Sequence, residues 1–192
     1  MTSFHCAIKK ENFEIIKMLI DQPLLEINEK LVIKTKDNTT KTKKLLTPLY
    51  YAIYKDSIEI IKLLLESTNE ITYNEESILK RKIIDNSQKG SNKMPYEIKR
   101  LTPLQQSIIK GNVDVINLLL NSPKIDINTK TLYQSRFYIY NNSSVINVFN
   151  SNKPVNIQKS SIYQKEKLEK AALSIAIELS LGNIVDILLK HK

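Results

Sequence analysis

A fourfold internal repeat limits what this chain can fold into. The segments Thr2–Ile20, Thr47–Leu65, Thr102–Leu120 and Ala171–Leu189 align without a gap. Their third position is apolar: Phe4, Leu49, Leu104, Leu173. Three residues on it is small (Ala7, Ala52, Ser107, Ala176), and the next is always Ile (Ile8, Ile53, Ile108, Ile177). Each segment closes on an apolar pair, one polar residue and an apolar triplet, as in Ile60-Ile61 and Leu63-Leu64-Leu65. Repetition at fixed positions is the mark of stacked supersecondary units rather than one irregular core.

Each segment reads as two short antiparallel helices. Thr47-Pro48 and Thr102-Pro103 supply a capping hydroxyl and a residue whose fixed φ suits a first helical turn. The chain must then reverse near Glu11, Asp56, Gly111 and Ser180. A left-handed residue is expected there, free of strain at Gly111 and costing about 1 kcal/mol at a position such as Glu11. The second helix is apolar nearly all round, so neighbouring units must cover it, and stacking into a solenoid does so.

The motifs Thr2-Ser3-Phe4-His5, Thr47-Pro48-Leu49-Tyr50, Thr102-Pro103-Leu104-Gln105 and the degenerate Ala171-Ala172-Leu173-Ser174 resemble the Thr-Pro-Leu-His signature of the ankyrin repeat. Leu25-Glu26-Ile27-Asn28 and Ile125-Asp126-Ile127-Asn128 keep the end of its following turn, and Glu70-Ile71-Thr72 is a weaker copy. The resemblance implies a mostly α solenoid of four helix pairs, at about 2–21, 47–66, 102–121 and 171–190, forming a single domain over 1–192. It also implies a β-hairpin finger between successive pairs.

The chain departs from that family in its spacing. Ankyrin units recur at about 33 residues, whereas Thr2, Thr47, Thr102 and Ala171 are 45, 55 and 69 apart. The surplus falls in three inserts, 29–46, 72–101 and 129–170, where the family places its fingers. Leu31–Lys36 and Thr39–Lys44 read as β-prone arms around Asp37-Asn38. Phe137–Tyr140 and Val145–Phe149 flank Asn141–Ser144 in the same way. In the middle insert, Ser77–Ile84 suits either a strand or a helical turn, and Ser87–Lys93 reads as a flexible tip. Ser161–Lys170 is rich in helix formers, so the fourth unit's first helix is expected to begin early.

Charge is divided along the same lines. The chain has 29 Lys and Arg against 20 Asp and Glu, or +9. The three inserts together carry +12 and the remainder −3. Lysine-rich loops serve solubility, and a common projecting face could also serve binding.

Catalytic patterns are missing. His5 and His191 sit at opposite ends of the sequence, and His5 stands where a threonine hydrogen-bond partner is expected. The lone Cys6 falls on an apolar helix face and reads as core. Three glycines, Gly90, Gly111 and Gly182, leave no phosphate-cradling loop. No metal-ligand spacing is present, so neither an enzyme nor a cofactor is expected. No apolar run nears the ~20 residues of a membrane-spanning helix, and the start lacks a secretory pattern. An intracellular, cytoplasmic protein is the expectation.

The resemblance implies a protein-binding scaffold whose contact surface joins the fingers to the exposed ends of the first helices. The candidate contacts are Lys9, Lys10, Tyr54, Lys55, Ile109 and Lys110, with Glu178 in the last copy. This mixture suits an acidic partner with some apolar anchoring. The alternative is polyanion or nucleic-acid binding through the lysine-rich inserts, with Tyr138 and Tyr140 available to stack. It is the lesser reading because Arg is scarce and no nucleic-acid motif is present. The terminal units look as apolar as the inner ones, which points to a longer array or self-association.

Overall fold

In the computed structural model residues 2–22, 27–67, 71–83, 96–139 and 162–191 are described. The helices pair as α1 (Ser3–Lys10) with α2 (Phe13–Ile20), α3 (Pro48–Tyr54) with α4 (Ile58–Glu66), α5 (Pro103–Lys110) with α6 (Val113–Leu120), and α7 (Ala172–Glu178) with α8 (Gly182–Lys190). None exceeds nine residues, too short to persist alone in water. Stacking holds them: α1 packs on α3, α3 on α5 and α5 on α7, with the second helices beside them. The core runs through all four pairs, from Phe4, Ile8 and Ile16 through Leu49, Ile53, Ile60 and Leu104 to Ala176 and Leu188.

The repeated threonines start the first helices. Thr2, Thr47 and Thr102 each accept a hydrogen bond through Oγ1 from the backbone N–H three residues on. Gln105 completes a capping box by accepting from the Thr102 N–H at 3.1 Å. The turns between paired helices are left-handed at Glu11, Asp56, Gly111 and Ser180, as the repeat pattern requires.

His5 is fully buried, and its Nδ1 lies 2.6 Å from the Thr2 hydroxyl. Burial disfavours the imidazolium and lowers its pKa to about 4, with the Leu46 carbonyl partly opposing. The unfolded chain takes up this proton below about pH 6.5, the folded chain only near 4. Stability from this site is therefore complete above pH 6.5 and falls as the pH drops toward 4, by about 3 kcal/mol in all. In urea unfolding at pH 7 and pH 4.5, wild type is expected to lose about 2–3 kcal/mol more than His5→Gln. Equal losses would contradict this role for His5.

The inserts supply six strands: β1 (Leu31–Lys36), β2 (Thr40–Leu46), β3 (Ser77–Ile83), β4 (Tyr96–Leu101), β5 (Thr131–Ile139) and β6 (Ile162–Lys170). They are not separate hairpins. They form one antiparallel sheet in chain order, with β2 paired to β3 and β4 to β5 across successive fingers. The dimensions explain this. Two strands at about 4.8 Å each span nearly the same step as packed helices 8–10 Å apart. Each hairpin therefore arrives within hydrogen-bonding distance of the next.

Four expectations need correction. With six strands beside eight helices among the described residues, the chain is not simply mostly α. Residues 162–170 form a strand rather than an early helix, because the ladder from Ile139↔Ile162 to Thr131↔Lys170 offers backbone partners that local helix propensity does not outweigh. The same ladder pairs residues 137–139 with 162–164 instead of with the arm proposed at 145–149, which lies outside the described residues. The tip at 87–93 also lies outside them. Cys6 is half-buried rather than core, and no helix among the described residues is long and apolar enough to cross a membrane.

Candidate functional site

Side chains alternate between the two faces of a strand, and residues directly opposite one another share a face. One face of the sheet carries the row Ile33, Lys44, Leu79, Lys99, Tyr133 and Leu168. This face turns toward the first helices. Lys44 Nζ donates to the Tyr54 hydroxyl at 3.1 Å, at the end of α3.

Between the sheet and the ends of α5 and α7 lies a cleft of about 430 Å³. Its apolar lining includes Ile109 (42% exposed), Leu168 (45%) and Leu179 (47%), above the buried Ile175 and Leu101. Tyr133 forms part of the wall. Its hydroxyl donates to Glu97 at 3.2 Å, and Lys99 and Lys170 stand 5.9 and 5.3 Å from its ring centroid. Lys99 pairs with Glu97 at 3.0 Å and Lys170 with Glu178 at 2.5 Å. The cleft thus joins an apolar lining to charges already matched within the chain.

Gln105 fastens the third finger to α5. Its Nε2 donates to the carbonyls of Thr129 and Lys170 at 3.1 and 2.9 Å, and Thr131 donates to its Oε1 at 2.7 Å. The position that holds His5 and Tyr50 in other copies is here the anchor of a finger. In the closing turns, Asn28 accepts from the Thr72 N–H at 2.9 Å and Asn74 from the Asp126 N–H at 2.8 Å. These asparagines tie each unit's closing turn to the next.

The proposed contact residues fall into different settings. Lys9, Lys10 and Lys55 are exposed, and Tyr54 is 40% exposed. Ile109 lines the cleft, whereas Lys9, Lys10 and Lys55 do not. Lys110 is engaged within the chain: its ammonium donates to the Ile53 and Tyr54 carbonyls at 3.2 and 3.0 Å and pairs with Asp56. It satisfies the terminal carbonyls of the preceding unit's helix, where a cation is favoured. Tyr138 lies in β5 opposite Tyr163, and Tyr140 lies outside the described residues. Sequence reasoning did not single out Tyr133, Leu168 or Leu179 as contacts. Leu168 was visible only once residues 162–170 were read as a strand with alternating faces.

Among the described residues, no three His, Cys, Asp or Glu side chains are grouped to hold a metal. A family model for ankyrin repeats, comprising three copies, matches residues 1–77 and 30–131. Neither the curated proteins nor the solved structures contain a match to this chain.

Proposed function

The chain belongs to the ankyrin-repeat family, and from that premise we propose that it is a non-enzymatic scaffold that binds a protein partner through the face shared by its fingers and first helices. Ankyrin repeats are in general protein-interaction modules, and residues 1–192 act here as one such unit. The observation that carries the choice of face is the cleft between the sheet and α5 and α7, with Ile109, Leu168 and Leu179 exposed around it. Half-exposed aliphatic side chains beside the sheet offer the apolar anchor around which interfaces are built.

The partner presents an apolar side chain to the cleft. Acidic groups flanking it meet the exposed ammonium groups of Lys9, Lys10 and Lys55, while Tyr54 extends the contact along the first helices. Lys110 contributes by fixing the end of α3 beneath that contact.

The test compares proteins captured from cell lysate by wild type, by Ile109→Glu with Leu168→Glu, and by Met18→Glu. Met18 is 65% exposed on α2 and does not line the cleft. A partner held by wild type and Met18→Glu but reduced at least tenfold by the cleft variant supports the proposal. Partners retained equally by all three would rule this face out.

A further inference from the structure

The other face of the sheet is of a different kind. There the register places Lys34, Lys43 and Lys80 directly opposite one another across β1, β2 and β3. Two residues along each strand, on the same face, Lys36, Lys41 and Lys82 form a second row. All six are exposed. The first row continues through Ile98 and Gln134 to the exposed Lys167, and the second through Tyr96 to the register positions of Arg136 and Lys165. Neither row contains an acid. Among the described residues, none of the seven exposed lysines has a carboxylate within ion-pair distance.

This arrangement costs stability. Like charges directly opposite in adjacent strands are destabilising. Four such pairs occur here: Lys34 with Lys43, Lys43 with Lys80, Lys36 with Lys41, and Lys41 with Lys82. Protection of sheet edges against aggregation accounts for lysines on β1 and β6. It does not account for those on β2 and β3, which are interior strands. Nor does solubility require lysines from three separate inserts to line up in rows on one face.

We propose that this outer face binds single-stranded nucleic acid, the lysines contacting successive phosphates. The surface spans six strands, about 24 Å at 4.8 Å per step, a length over which an extended strand can run. Its chemistry selects this ligand over two others. The centre of a protein interface is depleted in lysine and enriched in apolar groups, and these rows offer only Ile98 and Tyr96 of that kind. A lipid surface needs only the charges, whereas Tyr96 and Gln134 set a ring and an amide within the cationic rows, groups that stack on and hydrogen-bond to bases. Scarce Arg argues against base readout in a groove, but phosphate contact without sequence preference is work that lysine performs.

The experiment titrates the protein into a fluorescein-labelled 20-nucleotide oligouridylate between 50 and 300 mM salt. Saturable binding is expected, with a log K against log salt slope of about −3 to −4, corresponding to about five phosphates. Lys43→Glu with Lys80→Glu should weaken binding at least tenfold and flatten the slope by about 1.4. The milder Lys43→Gln with Lys80→Gln keeps the test open should the reversal disturb folding, and is expected to lose a smaller part. Lys9→Glu with Lys10→Glu changes net charge equally, away from these rows, and should leave most of the affinity. The proposal is overturned if both charge-reversed pairs lose affinity equally. It is also overturned if polyglutamate or phosphatidylserine vesicles bind more tightly than the oligonucleotide, or if binding never saturates.

Discussion

Tyr50→Ala is expected to lower the stability of this chain by about 3–5 kcal/mol, the range for deleting a large buried aromatic side chain. Tyr50 is fully buried, and is the largest such side chain among the described residues. Its hydroxyl donates to Gln106 Oε1 at 2.6 Å. The bond runs from α3 to α5, so it locks one helix pair against the next. Burial, with a smaller contribution from Tyr54, holds the phenol well above its ordinary pKa, and it stays a donor across the usable pH range. Tyr50→Phe separates the two contributions. It keeps the ring and leaves the Gln106 acceptor without its donor, which costs about 1–3 kcal/mol. Urea unfolding of both variants checks the result. A loss near zero for Tyr50→Ala would mean that the second and third units do not share a core.

Lys80→Pro is the second substitution with a large expected effect, and it acts on the sheet alone. Lys80 is exposed, so little packing is lost with the side chain. Its backbone lies in β3, with β2 on one side and β4 on the other. Proline removes a ladder donor in an interior strand and leaves a carbonyl unpaired, costing about 1–3 kcal/mol before the ring's own steric conflict is added. Because the fingers are zipped together, protection from hydrogen exchange should fall in β2 and β4 as well as in β3. Lys80→Ala is the matching control. It removes the charge facing Lys43, so its stability should be unchanged or slightly raised. Equal exchange behaviour in Lys80→Pro and wild type would contradict the interior position of β3.

Much of the helical part was legible because its signals are local. A threonine hydroxyl reaches the N–H three residues away, a reversal after two turns of helix demands a left-handed residue, and an apolar triplet needs cover. Glu11, Asp56 and Ser180 take positive φ without being glycine because the repeat position, not the residue, dictates the turn. The sheet was less legible, since strand pairing between fingers depends on the matching of helix spacing to strand spacing, which no short stretch of sequence records. Residues 162–170 show the consequence: composition favoured a helix, and a partner strand more than twenty residues away decided otherwise. The lysine rows were present as a period of two, in Lys34/Lys36, Lys41/Lys43 and Lys80/Lys82. Their alignment became visible only with the register. Lys110 had no sequence signal for its role, because its acceptors belong to the preceding unit.

Cross-strand nuclear Overhauser effects between fingers test most directly whether three inserts form one sheet on one stacked helical body. Backbone contacts are expected between β2 and β3, around Lys44 and Leu79, and between β4 and β5, around Ile98 and Gln134. Contacts confined to strands of the same insert, with none from one insert to the next, would contradict the continuous sheet and dissolve both lysine rows with it.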